Sequence, residues 1–141
     1  MAAKMMEPDK GQPTPTAVKG EFPACAPETP DKAWKMFVGW TTVAKREDAE
    51  RLAADAVARG LAVCVQIDGP VTSHYCWAGK DLREEEFRLC FKFPAENAPA
   101  LERHIHAIHP YETPEWIVVE ARHVSEKYLS WAKSNPTHLT L

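Results

Sequence analysis

Hydrophobic and polar positions alternate along this chain in two periods, and the changes of period mark the elements. From 34 to 42, Met36, Val38 and Trp40 alternate with Lys35, Phe37 and Gly39. That two-residue period predicts a strand with apolar groups on both faces. From about 44 to 59 the period becomes helical. Ala49, Leu52, Ala53, Ala56 and Val57 form an apolar stripe among Lys45, Arg46, Glu47, Glu50, Arg51 and Asp55, and Gly60 supplies a helix C-terminus. Residues 61–71 return to alternation, with Leu61, Val63, Val65 and Ile67 on one face and Cys64 and Gln66 on the other. Asp68-Gly69-Pro70 is turn chemistry within that run and predicts a bend or bulge. The run then resumes, with Val71, Ser73, Tyr75 and Trp77 against Thr72, His74 and Cys76.

Ala78-Gly79-Lys80 predicts a hairpin turn, and a third strand returns as far as Phe93. Its second half sets Phe87, Leu89, Phe91 and Phe93 against Arg88, Cys90 and Lys92, while the acidic run Glu84-Glu85-Glu86 is expected to hold the hairpin tip in water. A second helix is expected over about 96–109, buried along Ala98, Leu101, Ile105 and Ile108 and flanked by His104 and His106. Pro110 stops it, because proline lacks an N–H and disfavours the α region for His109. Pro114 then launches a fourth strand, from 116 to about 122, and Ser125 is placed to cap a short third helix with Tyr128, Leu129 and Trp131 on its apolar face.

Strand, helix, strand, strand, helix, strand, helix, joined by right-handed crossovers, is an α+β fold. It is the split βαβ of the ferredoxin-like layout, with two helices on one face of an antiparallel sheet, a long antiparallel hairpin and a short C-terminal helix. The hairpin leaves sheet edges to be paired or covered. Tyr75 and Trp77 near its tip, and Phe37 or Val119 on the sheet's other face, lack cover within one chain, which predicts an oligomer.

Composition narrows the rest. The folded domain is expected over 34–134. Residues 1–33 hold six of the twelve prolines and little aliphatic bulk, so a flexible tail is expected there, with a second short tail over 135–141. A net charge of -3 disfavours a nucleic-acid partner, including an RNA-binding sheet. No stretch approaches the roughly 20 apolar residues of a membrane span. The first eight residues lack the apolar run of a secretory signal, so a cytoplasmic location is expected.

The four cysteines show no Cys-x-x-Cys pair and no zinc spacing. They read as free thiols, with Cys64, Cys76 and Cys90 acting as small hydrophobes. No Gly-x-Ser-x-Gly and no Gly-rich phosphate loop occurs, so a non-enzymatic protein is expected. The segment from His109 to Glu115 does gather an imidazole, a phenol and two carboxylates on a short rigid connection. His106, three residues before His109, shares a helix face with it in this reading, and the pair reads as a solvated surface.

Four motifs, in order along the domain, resemble the CutA divalent-cation tolerance family. They are Leu61-Ala62-Val63-Cys64-Val65, Tyr75-Cys76-Trp77-Ala78-Gly79-Lys80, His109-Pro110-Tyr111-Glu112-Thr113-Pro114-Glu115 and Tyr128-Leu129-Ser130-Trp131. The resemblance implies a homotrimer in which the long hairpins close edge to edge, and a link to copper and other divalent cations. It places the family's copper ligands, one Cys and two adjacent His, at Thr41, Ile108 and His109. Only His109 keeps a ligand, so weak copper binding centred on His109 is expected. An inter-subunit cleft of Trp77, Lys80, Tyr111, Glu112 and Glu115 is expected, with interface hydrogen bonds as their structural role. The downstream protein partner is left open. The runner-up is a PII-like small-molecule sensor that binds its ligand between subunits, a reading the short turn at Ala78-Gly79-Lys80 disfavours.

Overall fold

The computed structural model describes residues 34–135. The expected tail at 1–33, and all but Asn135 of the one at 135–141, lie outside the described residues. Four strands and three helices follow in the predicted order: β1 (Met36–Val43), α1 (Arg46–Ala58), β2 (Cys64–Trp77), β3 (Lys80–Pro94), α2 (Ala98–Ile108), β4 (Ile117–Glu120) and α3 (Glu126–Ser134). A 3-10 turn, Ala95–Asn97, leads into α2. The sheet order is β2-β3-β1-β4 and every neighbouring pair is antiparallel, which is the ferredoxin-like arrangement. No helix among the described residues is long and apolar enough to cross a membrane.

The alternation in β1 and β3 builds the core. Phe37 faces Phe93, Gly39 faces Phe91, Thr41 faces Leu89 and Val43 faces Phe87. This side meets α1 and α2, where Leu52, Leu89, Phe91, Phe93, Leu101 and Ile105 are fully buried. Phe37 belongs to this packed side, edge-on to Phe93 with ring centroids 6.1 Å apart, and not to the uncovered face. Val119 does lie on the other face, opposite Val38. One end of that face is covered from within the chain, because Tyr128, Trp131 and Ala132 of α3 pack with Met36, Val63 and Cys64.

Hydrogen bonds shift several boundaries. The second strand starts at Cys64 and not at Leu61, because the N–H groups of Leu61 and Ala62 both bond to the Ala56 carbonyl, at 3.0 and 3.2 Å, and finish α1. Gly60, at φ 68°, makes that reversal. The hairpin turns on two residues, Ala78 (φ 52°) and Gly79 (φ 75°), with Trp77 already paired to Lys80. Two positive φ values are the signature of the type I′ turn. The register of β2 on β3 slips by one residue between Asp68 and Val71, which is the bulge expected at Gly69-Pro70. Ser125 occupies the N-cap of α3, but its hydroxyl makes no capping bond; α3 starts instead on the Leu129 N–H to Ser125 carbonyl bond of 2.9 Å.

β1 ends at Val43, opposite Phe87, while β3 begins at Lys80. The hairpin therefore overshoots its neighbour, and the segment after α2 lies against the overshoot.

Candidate functional site

Pro110 forces His109 out of the helix, to φ -67° and ψ 136°, while the His109 N–H still closes the last turn onto the Ile105 carbonyl at 2.8 Å. Arg51 of α1 donates two bonds of 3.2 Å to the Ile108 carbonyl and so satisfies the helix end. After Pro114, Trp116 inserts beneath the sheet, 5.5 Å from Phe91 and 6.3 Å from Phe93 between centroids. Helix end and indole fix the segment at both ends.

His109 is 9% exposed, and both of its ring nitrogens are occupied. Nδ1 accepts the Tyr111 backbone N–H at 3.0 Å. An N–H cannot donate to a protonated nitrogen, so the ring proton sits on Nε2. Nε2–H then donates to the Thr41 hydroxyl at 2.9 Å. Thr41 is fully buried. Burial holds the His109 pKa below the usual histidine range, consistent with a ring whose neutral form is the one solvated by the fold.

The fold thus brings Thr41 and His109 into direct contact across 68 residues of chain. It turns the Ile108 side chain into the main core. A hydroxyl, a hydrocarbon and an imidazole with both nitrogens engaged do not fit a copper chelate. Among the described residues, no group of three or more His, Cys, Asp or Glu side chains is arranged to hold a metal ion.

Tyr111, Glu112 and Glu115 join Trp77 in lining an open groove of about 860 Å³ between the hairpin overshoot and the 109–115 segment. Lys80 does not line it; it sits across from Trp77 at the hairpin tip. Of the acidic run expected in water, Glu84 and Glu85 are exposed and Glu86 is not. Glu86 is 7% exposed and accepts the Tyr111 hydroxyl at 2.9 Å, and Glu84 accepts the Tyr75 hydroxyl at 2.7 Å. Burial, reinforced by Glu86, pushes the Tyr111 phenol far above its usual range, and the bond to Glu84 raises Tyr75. Four carboxylates, Glu84, Glu86, Glu112 and Glu115, meet three aromatic rings here, with no lysine or arginine in the lining. The signal in the sequence was parity: Glu84 and Glu86 are two apart on a strand and share a face.

His104 and His106 serve packing and surface roles. His104 Nε2 contacts the Asp55 carboxylate and ties α2 to α1. Burial pushes the Asp55 carboxyl up, but the bonds from His104 and from Arg59, at 3.1 Å, outweigh it and leave the pKa lowered. His106 is exposed and bonds the Glu102 carbonyl at 2.8 Å, so it does not share a face with the buried His109. Cys64 and Cys90 are half-buried and Cys76 is exposed, all as free thiols. Burial first, then Cys64, pushes the Tyr128 phenol up to about 12.

Residues 37–135 match the family described as CutA1 divalent ion tolerance protein. A curated relative, the divalent-cation tolerance protein CutA of Yersinia pestis, is 37% identical over 94 residues, covering 67% of this chain and 79% of that protein. Among solved structures, CutA from Synechococcus elongatus superposes with a TM-score of 0.68 at 37% identity, over 71% of this chain and 88% of that one. CutA1 from Oryza sativa gives a TM-score of 0.68 at 34% identity, over 70% and 91%.

Proposed function

This chain belongs to the CutA1 divalent ion tolerance family, and from that premise we propose a non-enzymatic, cytoplasmic homotrimer that binds copper or another divalent cation weakly, with His109 as the leading ligand. The observation that carries the reading is the family match over residues 37–135, and the contact of His109 with Thr41, two of the three positions matched to the family's copper ligands, explains why binding is weak. A metal reaches either ring nitrogen only by displacing the Thr41 or the Tyr111 bond, each worth about 0.5–1.5 kcal/mol net, and no second ligand compensates.

The trimer draws its support from unpaired edges. β2 and β4 are the outer strands of the sheet. Trp77 is 57% exposed on the hairpin, and Ile117 and Val119 are 52% and 44% exposed on β4. A 14-residue outer strand such as β2 offers unpaired backbone groups to another chain, and the exposed apolar side chains of β4 favour the same contact. The groove favours the runner-up reading of a small-molecule sensor, but a lining of carboxylates without lysine or arginine is hostile to the phosphates of a nucleotide.

Calorimetric titration with divalent copper, beside light scattering, tests the proposal on the full chain. The parent should scatter as three times its 15.8 kDa chain mass. His109→Ala should bind copper more weakly with the same mass. A monomer refutes the assembly, and unchanged copper affinity in His109→Ala refutes the ligand.

A further inference from the structure

Two thiols stand together on the side of the sheet turned away from α1 and α2. Leu89, Phe91 and Phe93 face those helices, so Cys90, between them, points the other way. In the β2–β3 register Cys64 lies opposite Lys92 and Gln66 lies opposite Cys90. Cys64 and Cys90 are therefore diagonal neighbours on one face. Both are half-buried and free. Tyr128 of α3 packs in one cluster with Cys64, and Trp40 stands opposite Cys90 on β1. The pair has an aromatic wall on two sides.

We propose that Cys64 and Cys90 form a two-thiolate site for monovalent copper on this face. Diagonal partners in an antiparallel pair are about 7–8 Å apart, with the Cβ atoms somewhat closer. That is wide for a disulfide, which needs its Cβ atoms at about 3.5–4.5 Å. It suits an S–metal–S bridge, because two metal–sulfur bonds of about 2.3 Å add to the reach of the side chains. Thiolates are soft ligands that suit monovalent copper and zinc, and a site of only two thiolates falls short of the four ligands of a structural zinc.

One Cu(I) replaces the two thiol protons, which leave to solvent, and no electron is transferred; the product carries one net negative charge. Burial pushes the Cys90 thiol up, and Cys64 and Asp68 act in the same direction; Lys92 and Arg88 act against them, and Asp68 is itself paired with Arg88 at 2.7 Å. This site shares no residue with the His109 proposal and takes copper in the other oxidation state, so either can fail alone.

The test is an anaerobic titration of the reduced full chain with Cu(I), in competition with a chromophoric Cu(I) chelator. The parent should bind one Cu(I) per chain. Cys64→Ser and Cys90→Ser should each lose more than roughly 100-fold in affinity, beyond what loss of a merely supporting group costs. Cys25→Ser/Cys76→Ser and His109→Ala should bind as the parent does. X-ray absorption on the loaded parent, which needs no variant to fold, should show two sulfur neighbours at about 2.2–2.3 Å. Absence of binding in the parent, parent-like affinity in Cys64→Ser or Cys90→Ser, or a nitrogen and oxygen shell around the copper would each overturn the proposal.

Discussion

Replacing Gly39 by alanine asks whether the 109–116 segment is held by packing against a bare stretch of β1. Gly39 sits at the centre of the sheet, opposite Phe91 on one side and Val118 on the other. A Cβ there would lie 2.9 Å from Trp116 Cη2, 3.2 Å from Trp116 Cζ2 and 3.2 Å from Phe93 Cε1. The indole has no easy retreat. It is stacked on Phe93 at an interplanar angle of 18° and stands edge-on to Phe91 at 71°.

An added methyl in a filled core costs about 1–3 kcal/mol. Removing glycine from a strand interior returns about 0.5–1 kcal/mol. The net is a destabilisation of roughly 1–2 kcal/mol, and at about 4–8 °C per kcal/mol for a domain of this size Tm should fall by roughly 4–16 °C. The assay is thermal unfolding at one fixed protein concentration, since assembly makes Tm concentration-dependent. Trp116→Leu alone should destabilise, while the double variant Gly39→Ala/Trp116→Leu should be more stable than the sum of the single losses by at least about 0.5 kcal/mol. A Gly39→Ala protein as stable as the parent, or strict additivity in the pair, would show that the indole is not pressed against Gly39.

Three other outcomes follow from the same geometry. Leu101→Ala, at a fully buried position, should cost about 2–5 kcal/mol in urea unfolding. Tyr111→Phe strips a hydrogen bond from buried Glu86 and should cost about 1–3 kcal/mol, whereas Tyr111→Phe/Glu86→Leu should recover much of the loss. The lowered pKa of His109 means that the unfolded chain takes up a proton first, so the stability due to the neutral ring is intact above the unfolded value of about 6.5 and declines as pH falls toward the folded value. Melting from pH 7.5 down to 4.5 should show that decline in the parent and less of it in His109→Gln.

Much of the fold was legible because its elements carry clean periods. The alternation of Phe87, Leu89, Phe91 and Phe93, and the helical stripe from Leu101 to Ile108, each admit one reading. The strand order then follows from crossover handedness. Legibility ended where hydrogen bonds override pattern. Leu61 keeps the alternation of β2, yet the chain is still turning off α1 there, because the Ala56 carbonyl holds the N–H groups of Leu61 and Ala62, and only at Val63 does an N–H reach the Lys92 carbonyl of β3. Phe37 was misplaced for a different reason. β1 carries apolar residues at both parities between two partner strands, so its own sequence does not say which face meets the helices. Gly39 carries the answer, since a residue with no side chain must lie under the one bulky group that fills its place, Trp116.

The site was less legible than the fold because its chemistry depends on valence rather than residue type. The sequence offers His109 as a ligand. Only the fold shows that Tyr111, two residues on, takes its Nδ1 lone pair, and that Thr41, 68 residues earlier, takes its Nε2 proton. The same distinction governs Glu86, which a run of three acids presents as solvated and which the register places beneath Tyr111. Thiols reverse the case. Cys64 and Cys90 are 26 residues apart with no motif between them, and strand register alone makes them neighbours with their metal-binding capacity still uncommitted. His109 is engaged at both ring nitrogens, while Cys64 and Cys90 are free thiols on the opposite side of the sheet. Copper in its two oxidation states should therefore divide between two places on this protein, and Cys64→Ser and His109→Ala should each weaken binding at one without touching the other.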